Sequence, residues 1–536
     1  MTTSSVYHAF VESAKRFRKR DFLHLVEDTA QRYHQDAGGV SYASALQEVD
    51  RLTTSYHAFG LNVGDRVALA LDNRPEFFYH WLALNAIGIS VVPLNPQWRS
   101  AELEYVFEHS EAQLVVCLPD RVELLNEVKR ALGDTFAIVS LSDWEYTTST
   151  GTADEFVSAQ TECALLYTSG TTGKPKGCVL SNEYFLVSGA WYRELGGYCS
   201  LSETGDRLIT PLPMYHMNAM ATSTMAMLMT GGCIVPLDRF HPTSFWRSVC
   251  ESEATILHYL GVMPVMLMGM ESERQESTHQ LRFGFGAGLS GELHTQFEER
   301  FGFKLIEAWA MTETGCGVAI IANREPRNVG TACFGRAGEQ VDYQLVDDEG
   351  GQVKQGAPGE LLIRSAGDNA QRGFFSGYLK NPEASQQAWQ GGYFHTGDLV
   401  REDADGSLHF VDRKKNIIRR SGENISAVEV EEVLIQHPHV LGVGVAPVAD
   451  AVRGDEVFAC VVTDVGEDQW LQTAQDIVAH CLERLAYYKA PGYLSRCDKL
   501  PLTATEKIQR ADLKVLAQTL ADTGDCVDVR HKKKRQ

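Results

Sequence analysis

The chain has 536 residues, a length typical of roughly three or four domains of ordinary size. Hydrophobic residues make up 44% and charged residues 22%, a usage that excludes a disordered, collagen-like or coiled-coil chain. The 49 basic and 70 acidic residues give a net charge of −21, which excludes a nucleic acid as partner unless the basic residues gather on one face.

The cysteines and the start of the chain indicate a cytoplasmic protein. None of the 12 cysteines forms a CxxC pair or stands at metal-ligand spacing from a histidine, so we expect reduced thiols and neither a zinc site nor a disulfide framework. No basic stretch followed by an apolar run begins the chain, so no secretory signal is indicated. Residues 208–237 are uncharged and long enough to span a bilayer, but their prolines and polar side chains favour a buried segment, and we predict no transmembrane segment.

The first part of the chain alternates between helices and short apolar strands. The spacing predicts a helix near residues 6–17, a strand from residue 66, a helix over 75–86 and another strand from residue 89. The same pattern resumes after residue 164 and again around residues 254–269 and 281–286. This alternation predicts parallel sheets covered by helices.

The pattern changes after about residue 330. Glycine and proline turns separate short strands up to residue 410, which indicates a smaller β-rich unit. Beyond the charged run at 412–415, Ser426 and Glu429 have the spacing of a capping box and predict a helix start. Strands near 440–445 and 457–462 and a helix near 470–485 predict a compact α+β domain. The basic end of the chain is predicted to be a solvated tail, with a weak nucleic-acid or targeting patch as the alternative.

The most informative segment is a loop rich in glycine, hydroxyl side chains and lysine. It reads Leu165-Leu-Tyr-Thr-Ser-Gly-Thr-Thr-Gly-Lys-Pro-Lys-Gly177. Backbone amides, hydroxyls and ammonium groups together suit a polyphosphate. The segment is not a Walker A loop, because Thr168 stands where that motif has its first glycine and Pro175 follows Lys174. Apolar residues on both sides predict a strand, a flexible loop and a second strand.

This loop resembles the signature of the adenylate-forming (AMP-binding) superfamily, which includes acyl-CoA synthetases, carrier-loading adenylation domains and beetle-type luciferases. Each further landmark is weak alone, but they follow in the superfamily's order along nearly the whole chain. Two segments, starting at Leu71 and Val411, are most similar in sequence to the crotonobetaine/carnitine-CoA ligase group. The landmarks are Pro211-Leu-Pro-Met-Tyr-His216, Gly286-Ala-Gly-Leu-Ser290, Glu307-Ala-Trp-Ala-Met-Thr-Glu313, Thr396-Gly-Asp398, Arg413 and Lys507.

The resemblance implies an acid–thiol ligase that works in two steps. A carboxylic acid attacks the α-phosphate of ATP to give acyl-AMP and pyrophosphate, and the thiol of coenzyme A then displaces AMP. The implied cofactors are ATP and Mg²⁺, with coenzyme A as co-substrate. Such transfers are catalysed mainly by positioning and charge neutralisation, so no covalent enzyme nucleophile is required.

The resemblance also implies roles for individual residues. Lys507 would bridge the carboxylate and the α-phosphate, and Glu313 and Thr168 would hold Mg²⁺. His216 would position the acyl group or gate its pocket, with an ordinary buried histidine as the alternative. Among the nucleotide-binding residues, Asp398 and Arg413 would contact the ribose and Trp309 would face adenine. The full predicted ATP-binding set is Thr168, Ser169, Gly170, Thr171, Thr172, Gly173, Lys174, Gly286, Ala287, Gly288, Glu307, Ala308, Trp309, Ala310, Met311, Thr312, Asp398, Arg413 and Lys507.

The thioester step is expected to use residues of the last domain. Arg419 resembles a phosphate-side residue of that step, and Ser421, Gly422 and Glu423 resemble the lining of the pantetheine tunnel. Lys415 occupies the superfamily's hinge position, so we expect the last domain to rotate between the half-reactions.

The implied fold is α/β and α+β. It has a large N-terminal body of two α/β sheet subdomains and a β-rich unit, over residues 1–414, which binds ATP and the acyl group. A small mobile C-terminal α+β lid would cover residues 415–520 and a flexible basic tail residues 521–536. The oligomeric state is left open, with a homodimer as one option.

Departures from the superfamily pattern leave the substrate and the acceptor open. Glu506 replaces the glycine that usually precedes the catalytic lysine, which puts the efficiency of adenylation in doubt. Ten of the 12 methionines lie between Met214 and Met270, where they line an adaptable acyl pocket or simply pack a core. A betaine, fatty or aryl acid is compatible with the sequence. The alternatives to a CoA ligase are a stand-alone enzyme that loads a carrier protein, a luciferase-type oxygenase and a non-catalytic nucleotide-binding protein.

Overall fold

The computed structural model describes residues 4–147, 157–168, 175–272, 274–289, 291–420, 423–450, 453–485, 487–503 and 507–533. The side chains of Glu292, Lys415, Arg419, Glu423 and Asn424 lie outside this description. The chain divides into two compact units. The first, called the N-terminal unit, comprises Met1–Gly170, Lys174–Tyr343 and Ile363–Phe394, and the second, called the C-terminal unit, comprises Thr171–Gly173, Gln344–Leu362 and His395–Gln536.

The first and fourth of the described helices begin at the positions that the sequence predicts. The first starts at Val6, with the Ser5 hydroxyl accepting a hydrogen bond from the His8 amide, and the fourth has Pro75 in its first turn. The helices are α1 Val6–Arg16, α2 Glu27–Tyr33, α3 Tyr42–Tyr56, α4 Pro75–Ala86, α5 Ser100–Ser110, α6 Val122–Ala131, α7 Asn182–Glu194, α8 Thr224–Thr230, α9 Phe245–Glu251, α10 Val262–Met268, α11 Gly291–Phe301, α12 Pro382–Ala388, α13 Ala427–Leu434, α14 Glu467–Leu482 and α15 Arg510–Thr523.

The strands are short and most have an apolar, buried interior. They are β1 Asp21–Leu25, β2 Gly38–Ser41, β3 Arg66–Ala70, β4 Ser90–Pro93, β5 Leu114–Cys117, β6 Ala137–Ser140, β7 Glu162–Thr168, β8 Lys176–Ser181, β9 Arg207–Thr210, β10 Cys233–Pro236, β11 Ile256–Leu260, β12 Phe283–Ala287, β13 Lys304–Trp309, β14 Ile320–Ile321, β15 Cys333–Gly335, β16 Val341–Val346, β17 Gly359–Ser365, β18 Gly377–Tyr378, β19 Trp389–Gln390, β20 Tyr393–Glu402, β21 Leu408–Arg413, β22 Ile418–Arg420, β23 Glu423–Ile425, β24 Gly442–Asp450, β25 Gly454–Val462, β26 Tyr493–Arg496 and β27 Val527–Asp528.

Two mostly parallel sheets form the N-terminal unit, as the alternation of helices and strands predicts. The first has the strand order β18-β8-β7-β4-β3-β5-β6, and the second has the order β14-β13-β12-β11-β9-β10-β1-β2. Strand β3 buries Val67, Ala68 and Leu69 in succession, which is typical of a parallel strand covered on both faces. In the first sheet β7 pairs antiparallel with β8, so the predicted phosphate loop connects two hydrogen-bonded neighbours.

The uncharged segment at residues 208–237 folds into several short elements. It contains most of β9, a π-helix at Asn218–Ser223, the helix α8 and the strand β10. Each is far shorter than the roughly 20 residues that a spanning helix needs. In the part of the chain that the structure describes, no helix is long and apolar enough to cross a membrane.

A mixed sheet with helices on both faces completes the C-terminal unit. Its order is β23-β22-β25-β26-β27, and β24 pairs with β25. Alternation along β25 sends Val457, Ala459 and Val461 into the core under α13 and α14, and Phe458 and Cys460 into the core under α15. The predicted capping box is confirmed in part, because the Ser426 hydroxyl accepts a hydrogen bond from the Glu429 amide (3.1 Å) at the start of α13.

The prediction of a flexible basic tail over residues 521–536 is wrong for residues 521–533, which form part of the C-terminal unit. Helix α15 continues to Thr523, β27 pairs with β26, and Val529 is completely buried in the domain core. The Lys533 ammonium lies 2.5 Å from the buried carboxylate of Glu456. The basic composition of this segment predicted solvent exposure. The partner carboxylate, Glu456, stands 77 positions away in the sequence and gives no local signal of burial.

Candidate active site

Strands β7 and β8 hold the two ends of the predicted phosphate loop. Thr168 pairs with Lys176 across the two strands, and its hydroxyl lies 3.5 Å from the Lys176 carbonyl oxygen. The hydroxyl also lies 4.0 Å from the Cys178 sulfur. The predicted residues Ser169, Gly170, Thr171, Thr172, Gly173 and Lys174 lie outside the described residues.

The Thr312–Glu313 dipeptide is held by hydrogen bonds from three directions. Tyr184 donates its hydroxyl to the Thr312 carbonyl oxygen (2.9 Å), and the Phe375 amide donates to the Glu313 carbonyl oxygen (2.9 Å). The Tyr378 hydroxyl donates to Oε1 of Glu313, also at 2.9 Å. Glu313 is only 8% exposed, so its carboxylate is fixed in place.

Glu313 and Thr168 both lie near Cys178. Tyr378, which binds Glu313, pairs directly with Cys178 across β18 and β8. Burial raises the pKa of the Cys178 thiol, and the negative charge of Glu313 raises it further. The structure thus brings a carboxylate and a hydroxyl of the predicted set to one edge of the first sheet.

The predicted adenine-side loop follows strand β12. Gly286 approaches Tyr259 so closely that a β-carbon would lie 2.4 Å from the Tyr259 carbonyl oxygen. Gly288 has φ +86° and donates its amide to Oε2 of Glu307 (3.1 Å). The other oxygen of Glu307 accepts from the Tyr259 hydroxyl (2.9 Å), and burial raises the pKa of this carboxyl group. Glu307 therefore holds the loop at Gly288 through its side chain, while Ala287 is exposed.

The residues after Glu307 present a mixed surface. Ala308 and Trp309 complete β13, and Trp309 is 6% exposed with its ring 6.2 Å from that of Phe334. Ala310 is exposed, and Met311 is half-buried. Little of the indole face is therefore accessible for the predicted contact with adenine.

His216 is exposed, so the alternative of an ordinary buried histidine is wrong. Its carbonyl oxygen accepts from the Met220 amide (3.1 Å), and its ring lies 4.7 Å from that of Tyr215. The π-helix Asn218–Ser223 follows immediately, and such segments are frequent at functional sites.

Four rings, called the ring cluster, pack around Phe285 in β12, the strand that leads into the adenine-side loop: Trp191, Tyr192, His258 and Phe285. His258 is fully buried between the Tyr192 hydroxyl (3.0 Å from Nε2) and the Ser223 hydroxyl (2.8 Å from Nδ1). Burial lowers the pKa of His258 to about 3, so the imidazole is neutral at physiological pH.

In the C-terminal unit, Asp398 and Arg413 face each other across the hairpin of β20 and β21. They are paired in register, and Nε of Arg413 lies 2.6 Å from Oδ1 of Asp398. Asp398 is 2% exposed, and its amide donates to the Thr396 hydroxyl (3.0 Å). A buried carboxylate with a charged partner is thus presented at the predicted ribose position.

Lys507 lies close enough to Arg413 for their charges to interact. Its backbone is held by Thr503, whose amide donates to the Lys507 carbonyl oxygen (2.7 Å) and whose hydroxyl accepts from the Lys507 amide (3.1 Å). Partial desolvation lowers the pKa of Lys507, and the positive charge of Arg413 lowers it further. The residue is still exposed to solvent, so an anionic ligand could reach it. Lys507 therefore lies within range of the charge of Arg413, which is paired with Asp398.

The predicted CoA-side residues lie mostly outside the described part of the chain. Ser421 and Gly422 lie outside the described residues, and so do the side chains of Lys415, Arg419 and Glu423. The segment before them is well anchored, because Asp412 is fully buried and accepts hydrogen bonds from the Ser426 hydroxyl (2.8 Å) and the Val428 amide (3.2 Å).

Sequence reasoning missed three residues that organise these clusters. Tyr378 binds Glu313, Asp412 caps α13, and Glu360 accepts from the Gly397 amide (3.3 Å) and from the Lys414 ammonium (2.8 Å). Asp412 could have been found, since it opens the charged run before a helix. Tyr378 and Glu360 stand 65 and 54 positions from their partners and give no local signal.

Comparison with known proteins identifies the family. The AMP-binding enzyme family matches residues 10–379, and the AMP-binding enzyme C-terminal domain matches residues 429–507. A crotonobetaine/carnitine-CoA ligase of Escherichia coli O157:H7 is 30% identical over 509 residues, which cover 90% of this chain and 95% of the relative. Its counterpart in Salmonella paratyphi A is 29% identical over 494 residues, which cover 88% and 93%.

A solved structure confirms the predicted fold class. The o-succinylbenzoate CoA synthetase of Bacillus subtilis, in complex with its acyl-adenylate intermediate, matches with a TM-score of 0.80 at 24% identity, covering 94% of this chain and 97% of that chain. The motifs, the fold and the two family matches agree, and the chain belongs to the AMP-binding enzyme family.

Proposed function

We propose that the clusters around Glu313 and around Asp398 serve the two half-reactions of an AMP-forming acyl-CoA synthetase. This enzyme activates a carboxylic acid with ATP and then transfers the acyl group to coenzyme A. In the first half-reaction a carboxylate oxygen attacks the α-phosphorus and pyrophosphate leaves. In the second, the CoA sulfur attacks the acyl carbonyl carbon and AMP leaves. The observation that carries the assignment is the buried Asp398 carboxylate paired with Arg413, whose charge also acts on Lys507.

The donor set near Glu313 fits a magnesium ion. A fixed carboxylate and the Thr168 hydroxyl are hard oxygen ligands of the kind that Mg²⁺ prefers. No group of three or more His, Cys, Asp or Glu side chains able to hold a metal occurs among the described residues, so phosphate oxygens of ATP would complete the coordination. When bound, the ion supplies neutralisation of phosphate charge.

Each unit offers its own groups to the nucleotide, and within each unit these groups are fixed by hydrogen bonds or an ion pair. The Gly286 to Gly288 backbone lies at the adenine side, where Glu307 fixes the amide of Gly288. The Asp398 carboxylate accepts the ribose hydroxyls, and Arg413 orients that carboxylate by the ion pair between them (2.6 Å).

Lys507 supplies the positive charge between the two reacting anions. Its pKa is lowered by partial desolvation and by Arg413. A bound carboxylate and phosphate carry negative charge, so they would raise the pKa of Lys507 and favour its charged ammonium form. Preorganised positive charge at the site of attack stabilises the transition state more than the separated reactants.

Rotation at Lys415 would exchange the lysine for the CoA-side residues. In this proposal the C-terminal domain withdraws Lys507 after adenylation and brings Arg419, Ser421, Gly422 and Glu423 to the acyl-AMP. Lid motions of this type are common where one site must serve two reactions in turn.

For the acid, we propose a carboxylate that carries a quaternary ammonium group. Two bacterial relatives at 29–30% identity are named for crotonobetaine and carnitine. The ring cluster is nearly buried, with Trp191 9% and Phe285 5% exposed, so the two relatives carry the proposal of this acid. Its histidine, His258, is neutral, so it adds no positive charge that would repel the ligand. His216, exposed at the start of the π-helix, positions the acyl chain.

The experiment is ATP–pyrophosphate exchange across a panel of trimethylammonium, fatty and aryl acids, followed by thioester assays with free CoA and with a holo carrier protein. We expect the greatest exchange with a trimethylammonium acid and thioester formation with free CoA. Exchange with fatty or aryl acids alone would overturn the proposed substrate. Transfer to the carrier protein alone would make the protein a carrier-loading enzyme, and no exchange with any acid would refute the ligase assignment.

We also propose a cytoplasmic location. All twelve cysteines are free thiols, which is typical of a reducing compartment. Fractionation of cells that make the protein would test this, with recovery in the soluble cytoplasmic fraction as the expected result.

A further inference from the structure

Glu313 depends on Tyr378 for the orientation of its carboxylate. The Tyr378 hydroxyl lies 2.9 Å from Oε1 of Glu313, and the carboxylate is almost completely buried. The Phe375 amide, three residues before Tyr378, holds the Glu313 carbonyl oxygen (2.9 Å). The segment around Tyr378 therefore fixes both the backbone and the side chain of Glu313.

The same tyrosine contacts the end of the phosphate loop. The Lys176 ammonium lies 4.7 Å from the centre of the Tyr378 ring, a distance typical of a cation–π contact. Lys176 also contributes the carbonyl oxygen that faces the Thr168 hydroxyl at 3.5 Å. One aromatic side chain thus touches both a cation of the loop and the buried carboxylate.

The backbone of Tyr378 is itself held rigidly. Tyr378 pairs with Cys178 across β18 and β8, and its amide donates to the Ser385 hydroxyl (2.8 Å). Gly377, with φ +139°, permits the turn that leads into this pair. Because its backbone is fixed, the Tyr378 side chain can set the orientation of the Glu313 carboxylate.

We propose that Tyr378 is a positioning residue for the magnesium–phosphate end of the site: it fixes the Glu313 carboxylate by its hydroxyl and Lys176 by its ring. The inference rests on the proposed role of Glu313 as metal ligand. Partners that orient a metal-binding side chain typically change metal affinity by 10- to 100-fold when they are removed.

The test is Tyr378→Phe, which removes the hydroxyl and keeps the ring over Lys176. The probe is Mn²⁺ with ATP, followed by water-proton relaxation, which measures metal binding without turnover. We expect the affinity for Mn²⁺ to fall by about tenfold, with a melting temperature close to that of the wild type. In pyrophosphate exchange, the apparent KM for Mg²⁺ should rise more than kcat falls.

Tyr198→Phe is the matched control. Tyr198 donates an equally short hydrogen bond (2.9 Å) to a different glutamate, Glu325, on the surface of the same unit. This variant should bind Mn²⁺ like the wild type. A second variant, Lys176→Met, removes the cation and should weaken Mn²⁺–ATP binding in the same direction by a smaller factor.

Wild-type affinity for Mn²⁺ in Tyr378→Phe would overturn the inference. So would a loss of affinity accompanied by a large fall in melting temperature, because the role would then be structural. These outcomes differ from failure of the proposed function, which would appear as absence of pyrophosphate exchange in the wild type.

Discussion

Replacement of Lys533 by methionine should change how the stability of the C-terminal unit depends on pH. The Lys533 side chain is 1% exposed, and its ammonium lies 2.5 Å from Oε1 of Glu456. Arg420 also binds both oxygens of that carboxylate, at 2.9 Å. Burial lowers the pKa of Lys533 from its ordinary 10.5 to about 8, and the attraction of Glu456 only partly offsets this effect.

The size of the effect follows from proton linkage. Between the two pKa values the folded protein binds fewer protons than the unfolded chain, so the free energy of unfolding rises with pH. From about pH 7 to about pH 9.5, a shift of this size raises the free energy of unfolding of the wild type by ~2 kcal/mol. The methionine variant should lack this rise. At neutral pH the variant should be at least as stable as the wild type, because Glu456 keeps Arg420 and methionine carries no charge to desolvate.

The assay is a urea titration at each pH with pulse alkylation of Cys481. This thiol is fully buried in the core of the C-terminal unit, so its labelling, measured by peptide mass spectrometry, reports the opening of that unit. The control is Lys532→Met, since Lys532 is adjacent and donates to the neutral Gln475 (2.9 Å). Equal pH dependence of the wild type and Lys533→Met would refute the buried ion network. A large loss of stability in Lys533→Met at neutral pH would contradict the inference that burial of the ammonium costs at least as much free energy as its attraction to Glu456 returns.

Two further substitutions test the nucleotide side. Asp398→Asn should raise the KM for ATP about tenfold, because hydrogen bonds from ribose to a charged acceptor weaken; unchanged ATP kinetics would argue against a ribose contact. Gly288→Ala forces alanine into the left-handed region at φ +86°, at a cost of about 1–2 kcal/mol, and should weaken ATP binding measured by calorimetry. Gly302→Ala, at φ +76° in open space after α11, carries the same strain away from the site and should bind ATP normally, and equal losses in both variants would contradict the assignment.

Elements with a local cause were predictable from the sequence. The Ser426 cap depends on a residue three positions away, and the alternation of β25 between two cores follows from the two-residue period of a strand. The parallel sheets were predictable for the same reason, since continuous apolar runs such as that of β3 are typical of strands covered on both faces.

Contacts between distant residues were not predictable. The basic end of the chain has the composition of a solvated tail, and only the fold shows that the buried Glu456 receives Lys533. Tyr378 reaches Glu313 across 65 positions, and no pattern of spacing marks that pair. Exposure also required the structure: His216 lies on the surface, whereas the predicted adenine face, Trp309, is nearly buried.

Separation of the two half-reactions in Lys507→Ala tests the central claim most directly. Pyrophosphate exchange measures adenylation, and thioester formation from supplied acyl-AMP and CoA measures the second step alone. The control is Lys514→Ala, an exposed lysine of α15 that should leave both steps intact. Lys507→Ala should lose exchange and still form the thioester, because its charge serves only the attack on the α-phosphate. Normal adenylation by Lys507→Ala would contradict the account.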